Sequence, residues 1–199
     1  MADNNIDTKA RRSFMIRFIT GQLTATLIFI VGVISCYQGA MSGKLWLGPL
    51  VVILIALSRT VFDKNRGREL KVLLVVGGLG CLAESLMILL SIYTPDAGAR
   101  MLLPWPLLPE WILALWINFG LKIRDYMWLM RGRPVLGAVM GFIFGILIFR
   151  NAAGMGLLVL GHGSISLYTA SLIWAVIVPV LFHYAASVYP AFKSGSSAA

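Results

Sequence analysis

Long apolar stretches follow one another along the chain and are separated by short polar connections. A helix needs roughly 20 apolar residues to cross the hydrocarbon core of a bilayer, which is about 30 Å thick. Six stretches meet this requirement and predict six transmembrane helices, at residues 14–37, 45–62, 70–93, 108–130, 134–153 and 166–189. The predicted fold class is therefore an all-α polytopic membrane protein, a compact bundle of about six transmembrane helices.

The composition supports this interpretation and leaves little chain for a soluble domain. The 199 residues are 59% hydrophobic and only 13% charged, which lies outside the usual range of soluble domains. We expect a basic N-terminal tail at 1–13, a single six-helix domain at 14–189 and a flexible C-terminal tail at 190–199. The glycine-rich segment 151–163 is open to three interpretations: a part of the fifth span, a re-entrant piece or a loop.

The distribution of positive charge predicts the orientation. Of the 17 Lys and Arg residues, only Lys44, Arg100 and Arg150 fall in one set of alternate connections, and the others flank the opposite ends of the spans. Positive connections are retained in the cytoplasm, so both termini should be cytoplasmic. The charges are divided among short connections without a basic-aromatic reading motif, so nucleic acid is not expected as a partner. Membrane lipids with anionic headgroups are the predicted partners.

Glu84 lies near the middle of the third apolar stretch. Gly77 and Gly80 lie seven and four residues before it, so all three share one helix face with small side chains. Helices approach closely at such faces, and we expect the carboxyl group to face another helix or an internal cavity. Two interpretations stay open: the group exchanges a proton or holds a cation, or it is a protonated acid that fixes helix packing through a hydrogen bond.

The other intramembrane polar residues are predicted to lie toward the cytoplasm and could line one inward-facing pocket. The alternative is that they make separate interhelical hydrogen bonds or extend to lipid headgroups. A salt bridge from Asp125 to Lys122 or Arg124 on the same helix is also consistent with the sequence. The candidate intramembrane polar site comprises Glu84, Gln22, Asn118, Arg124, Asp125 and His183.

Helix packing is better specified than chemistry. Gly137, Gly141 and Gly145 recur at intervals of four in the fifth stretch, which predicts a flat face for close helix contact, as do Gly77 and Gly80 in the third. The chain has no serine-elbow, zinc-protease, C-x-x-C or phosphate-loop motif. We therefore assign no catalytic residue, metal or cofactor, and we expect a protein that is not an enzyme.

Three short passages carry a resemblance to a known family: Trp46-Leu47-Gly48-Pro49, Leu115-Trp116 with Phe119, and Leu129-Met130-Arg131-Gly132-Arg133-Pro134. They resemble domain of unknown function 2878, a family of small bacterial inner-membrane proteins in which some members carry unconfirmed permease labels. The resemblance covers about 14–189. It implies a helical bundle in a bacterial plasma membrane and a lipid-related role, because relatives tend to be encoded beside fatty-acid-modifying enzymes. The charged group at 122–125 departs from the uncharged polar residues expected there.

Two functions are consistent with these observations. The first is a non-catalytic accessory or lipid-interacting membrane component of unknown specificity, which would contact lipids and also a membrane-protein partner or a second copy of the chain. The alternative is a small proton-coupled transporter or permease that uses the intramembrane carboxylate Glu84.

Overall fold

The protein is a helical bundle. The computed structural model describes residues 2–61, 63, 65–99, 103–104 and 106–189. Its six helices are α1 Ala2–Met41, α2 Leu47–Val61, α3 Arg66–Leu89, α4 Glu110–Met130, α5 Pro134–Gly154 and α6 Ser164–Val188. Each predicted stretch corresponds to one helix, so the helical architecture is confirmed. The predicted C-terminal tail at 190–199 lies outside the described residues.

Four of these helices are long and apolar enough to cross a membrane: Ile19–Met41 within α1, and α3, α5 and α6. The whole of α1 has 40 residues and is about 60 Å long, twice the thickness of a hydrocarbon core. Helix α2 is apolar but has only 15 residues, and α4 carries Glu110, Lys122, Arg124 and Asp125. The four long apolar helices indicate a membrane protein.

A small two-stranded β-sheet lies at one end of the bundle, and the all-helical prediction did not include it. Strands β1 (Tyr93–Pro95) and β2 (Leu158–Leu160) pair antiparallel. The prediction that the third helix runs to Tyr93 is wrong, since α3 ends at Leu89 and Ser91 turns the chain with a φ of 57°. Gly156 interrupts the segment after α5 with a φ of 74°. The segment 151–163 is thus the end of α5 followed by β2.

The glycines of α5 face α6. A Cβ atom built on Gly141 would lie 2.5 Å from the carbonyl oxygen of Trp174, and one on Gly145 would lie 2.7 Å from the Cα of Ser171. Gly137 faces the same helix one turn earlier. The two backbones therefore come close together along this face, as small-residue repeats allow.

We expect Gly141→Ala to lower the free energy of unfolding by about 2 kcal/mol. The new methyl group would meet the backbone of α6, which cannot move aside by changing a side-chain rotamer. The matched control is Gly78→Ala in α3, where nothing lies within 4 Å of the added Cβ. That change should be neutral or stabilising by up to about 1 kcal/mol. Unfolding by a denaturing detergent, followed by circular dichroism, measures both; equal stability of the two variants would contradict the close contact of α5 and α6.

Candidate functional site

Glu84 is buried inside the bundle, with 1% of its surface exposed. It lies about one and a half turns before the end of α3 at Leu89, so it is closer to that end than the sequence suggested. The predicted central position is corrected because the chain leaves the helix at Leu89 rather than at Tyr93. Glu84 therefore lies just below the β1–β2 sheet.

Among the described residues, three side chains donate hydrogen bonds to the Glu84 carboxyl group. The Tyr93 hydroxyl donates to Oε2 at 2.6 Å. The indole Nε1–H groups of Trp116 and Trp174 donate to Oε1 at 3.2 Å and 3.0 Å. These donors lie on β1, α4 and α6, so a single carboxyl group joins four elements of the fold. All three donors are uncharged.

Aromatic rings surround this carboxyl group. The ring centroids of Trp116 and Trp174 are 4.6 Å apart, and Phe149 lies 5.2 Å from Tyr93 and 6.1 Å from Trp174. We call Glu84, Tyr93, Trp116, Phe149 and Trp174 the Glu84 site. Beside it is a cavity of about 10 Å³, the size of one water molecule. Its remaining lining residues are Trp111, Ile112, Leu115, Ile148 and Leu158.

The glycines before Glu84 make room for this arrangement. Gly80 lies directly against the Trp116 ring, and Gly77 lies against Ile117, so both face α4. A side chain at Gly80 would displace the indole that donates to Glu84. The small face predicted from the sequence thus lies where α3 meets α4.

The Glu84 site offers no cationic side chain to its carboxyl group among the described residues. An ionised carboxylate removed from water is costly unless a cation or hydrogen bonds offset the charge. Among the described residues, every ion pair of a Lys or Arg side chain involves another acid. The three hydrogen bonds offset part of the cost, and protonation of the carboxyl group would remove its charge.

A second polar group lies at the other end of the bundle. Arg59 at the end of α2 makes two hydrogen bonds to the Asp125 carboxylate, at 3.1 Å and 3.2 Å. Lys122 Nζ lies 3.5 Å from the same carboxylate, which confirms the predicted contact within α4. The Lys122 side chain is only 1% exposed, and its ammonium lies 5.1 Å from the centroid of the Tyr126 ring.

The second half of this group joins α3, α4 and the end of α6. Arg124 pairs with Asp63 and lies 3.6 Å from Glu69 Oε2, which also accepts a hydrogen bond from the Tyr189 hydroxyl at 2.8 Å. The backbone N–H of Asn65 and the Arg124 guanidinium hold the pKa of Asp63 below its ordinary value. We call these residues the ion-pair network: Arg59, Asp63, Glu69, Lys122, Arg124, Asp125 and Tyr189.

The structure does not bring the predicted polar residues into one pocket. Gln22 Nε2 donates to the Asp125 carbonyl at 3.4 Å, and Asn118 Nδ2 donates to the Phe29 carbonyl at 2.9 Å. His183 is exposed on α6. Glu84 is about 22 Å along α3 from Glu69 at 1.5 Å per residue. Gln22, Arg124 and Asp125 therefore belong to the end of the bundle with the ion-pair network, and Glu84 belongs to a separate site.

Sequence reasoning missed the donors to Glu84. Trp116 and Trp174 are 32 and 90 residues from it in the chain, and Tyr93 was assigned to the end of a helix. The available signal was that Trp116 and Trp174 fall well inside apolar stretches, where an indole N–H needs a hydrogen-bond acceptor. Glu84 is such an acceptor.

Within the described part of the chain, no three His, Cys, Asp or Glu side chains are grouped so that they could hold a metal ion.

Comparison with known proteins assigns the chain to a family. No curated protein and no solved structure matches the chain. The chain matches the family described as "Protein of unknown function (DUF2878)" over residues 22–180. This range includes the Glu84 site and all of the ion-pair network except Tyr189. The chain therefore belongs to the DUF2878 family.

Proposed function

We propose that this protein is a six-span component of a bacterial plasma membrane that binds anionic lipids through one basic end and catalyses no reaction. The observation that carries the proposal is the unequal charge of the two ends of the bundle. Arg66, Arg68 and Lys71 are exposed at the start of α3, beside the ion-pair network, and Arg133 is exposed at the turn into α5. Only Lys44 and Arg150 are exposed cations among the described residues of the opposite end.

Six spans are compatible with the charges of α4. This helix packs against α1, α2, α3 and α6. Its residues Lys122 and Asp125 pair with each other, and Arg124 pairs with Asp63 outside the helix. Charges that are paired with one another within the protein need not face lipid. The short helix α2 would cross with local thinning of the bilayer.

The basic end favours an anionic surface and a cytoplasmic location. Each Lys or Arg close to an anionic membrane surface contributes about 1 kcal/mol of attraction. Short positive connections are also retained on the cytoplasmic side. With the basic end inside, the end of α6 and the start of α1 both lie toward the cytoplasm.

The proposal is tested by neutralising three exposed cations at once, in Arg66→Gln/Arg68→Gln/Lys71→Gln. We expect phosphatidylglycerol, compared with phosphatidylcholine alone, to raise the thermal unfolding midpoint of the wild-type protein in nanodiscs, since a ligand of the folded state stabilises it. The triple variant should lose most of that rise. Added salt should reduce the rise in the wild-type protein.

The matched control is Lys44→Gln/Arg150→Gln, which removes exposed cations from the opposite end. It should keep the full response to phosphatidylglycerol. If both variants lost the response to phosphatidylglycerol equally, the response would be a general effect of charge. That result would contradict a lipid-binding basic end. No response of the wild-type protein to phosphatidylglycerol would also contradict it.

A second function, proton-coupled transport, is favoured by one observation: Glu84 is a buried carboxyl group beside a cavity, with uncharged donors as its hydrogen-bond partners. Such a group in a membrane is a candidate carrier of a proton. If it serves transport, proteoliposomes with wild-type protein should release an imposed proton gradient faster than those with Glu84→Gln. Equal rates for the two proteins would remove this candidate.

A further inference from the structure

We propose that Arg59 binds the phosphodiester group of one anionic lipid at the basic end of the bundle. This inference rests on the proposed lipid binding and adds a defined contact to it, a single guanidinium that the protein holds in place. Three observations support it: the balance of charge around Asp125, the free hydrogen-bonding capacity of Arg59, and the position of Arg59 on the short helix α2.

The charges around Asp125 are not balanced. Arg59 and Lys122 approach the Asp125 carboxylate at 3.1 Å and 3.5 Å, so two cations share one acid. In the other half of the ion-pair network the proportion is reversed, because Arg124 lies within 4.0 Å of two acids. Among the described residues, the positive charge of the network is therefore concentrated beside Asp125, where an anion would be favoured.

Lys122 allows Arg59 to take a second partner. The Lys122 side chain is 1% exposed, and its Nζ atom lies 3.5 Å from the Asp125 carboxylate. Within the described part of the chain, this Nζ atom has no hydrogen-bond partner. Lys122 can therefore balance the charge of Asp125 without Arg59. The charge of Arg59 is then available to an anion from outside the protein.

Arg59 also has hydrogen-bond donors to spare. A guanidinium has five N–H donors, and the bonds to Asp125 at 3.1 Å and 3.2 Å use two of them. The same two bonds fix the plane of the guanidinium. The Arg59 side chain is 27% exposed, so it is the cation of this pair that a lipid can reach. A planar guanidinium matches two oxygens of one phosphate group.

The position of Arg59 brings it to the lipid headgroups. Arg59 lies in the last turn of α2, which has 15 residues and is about 22 Å long. A hydrocarbon core is about 30 Å thick, so the lipids beside a membrane-crossing α2 have to move their headgroups inward. A phosphodiester that moves inward along α2 meets Arg59. The bond between them would favour the local thinning that α2 requires.

The balance of charge selects the headgroup. Phosphatidylglycerol has a phosphodiester and no cationic group, so it brings one negative charge to the site. Phosphatidylcholine has the same phosphodiester, but its quaternary ammonium would add a third cation beside Arg59 and Lys122. The site should therefore prefer phosphatidylglycerol to phosphatidylcholine.

The test is a titration of the purified full-length protein in a nonionic detergent, read by native mass spectrometry, which counts bound lipids. We expect one phosphatidylglycerol to bind more tightly than any later one, and about tenfold more tightly than phosphatidylcholine. Inorganic phosphate, added in competition, distinguishes a lipid headgroup from a free phosphate ion. It should not displace the lipid at equal concentration. Displacement would assign the site to free phosphate and would contradict the proposal.

Three variants identify the contact. Arg59→Gln leaves Asp125 with Lys122, so it should fold and should bind phosphatidylglycerol about tenfold more weakly. Arg59→Lys keeps the charge but loses the planar donors, and it should bind about threefold more weakly. Lys122→Met removes charge without touching the lipid and should weaken binding about fivefold. The matched control is Arg131→Gln, which removes a cation that donates to the Tyr189 carbonyl at the same end and should change the affinity less than about twofold.

The proposal is overturned if phosphatidylcholine binds as tightly as phosphatidylglycerol, or if folded Arg59→Gln binds phosphatidylglycerol as tightly as the wild-type protein. If Arg59→Gln does not fold, Lys122→Met decides, and unchanged affinity in that variant overturns the proposal. The triple variant Arg66→Gln/Arg68→Gln/Lys71→Gln is titrated alongside. If the wild-type protein binds no phosphatidylglycerol, lipid binding at the basic end fails as a whole. If the triple variant loses binding and Arg59→Gln does not, only the Arg59 contact fails.

Discussion

Replacing Glu84 with leucine is expected to lower the free energy of unfolding by about 4 kcal/mol. The change removes the acceptor of three buried donors, on Tyr93, Trp116 and Trp174. A buried donor left without a partner costs about 1 to 3 kcal/mol. Leucine is apolar and of similar length, so lost packing contributes little to the difference. Titration with a denaturing detergent in mixed micelles, followed by circular dichroism, measures the loss.

Two further variants separate the hydrogen bonds from other effects. Glu84→Gln keeps a carbonyl oxygen that can accept from the two indoles, and its amide N–H can donate to the Tyr93 hydroxyl. We therefore expect the free energy of unfolding to fall by only about 1 kcal/mol. Leu82→Ala, at a position 67% exposed on the same helix, should leave the bundle nearly unchanged. If Glu84→Leu were as stable as the wild-type protein, the three hydrogen bonds would have no part in holding the bundle together.

Replacing Asp125 with asparagine is expected to lower the free energy of unfolding by about 3 kcal/mol. Asp125 is the common partner of Arg59 and Lys122, and the Lys122 side chain is 1% exposed. Removing one member of a buried ion pair leaves the other as an uncompensated charge, which costs more than the pair itself contributes. Arg59 is more exposed and can turn toward solvent, so Lys122 accounts for most of the loss.

This explanation predicts a rescue. Adding Lys122→Met to Asp125→Asn removes the unpaired charge and fills a similar volume, so most of the lost stability should return. A double variant that is no more stable than Asp125→Asn alone would assign the loss to something other than the buried lysine. The same detergent titration compares the two variants with the wild-type protein.

The helices could be predicted because the length of an apolar stretch is a local property of the sequence. Each of the six apolar stretches became a helix, and the glycine repeat of α5 indicated a close-packed face that lies against α6. The β1–β2 sheet could not be predicted in this way. Its strands have three residues each and pair Tyr93 with Leu160, a contact that depends on where α3 and α5 end.

The burial of Glu84 could be inferred from the glycines beside it, but its partners could not. Gly77 and Gly80 lie on the same helix as Glu84, whereas Trp174 is 90 residues away in the chain. The Lys122–Asp125 contact lies within one helix and was within reach of the sequence. The Arg59–Asp125 pair joins residues 66 apart and required the structure.

The most direct test of the Glu84 site is an NMR spectrum of protein with ¹⁵N-labelled tryptophan side chains. The chain has six tryptophans, and their indole N–H signals can be assigned by single Trp→Phe substitutions. In Glu84→Gln we predict that the signals of Trp116 and Trp174 move, because their acceptor loses its charge, while those of the exposed Trp46 and Trp128 stay in place. Unmoved signals of Trp116 and Trp174 would contradict a carboxyl group that joins α3 to α4 and α6.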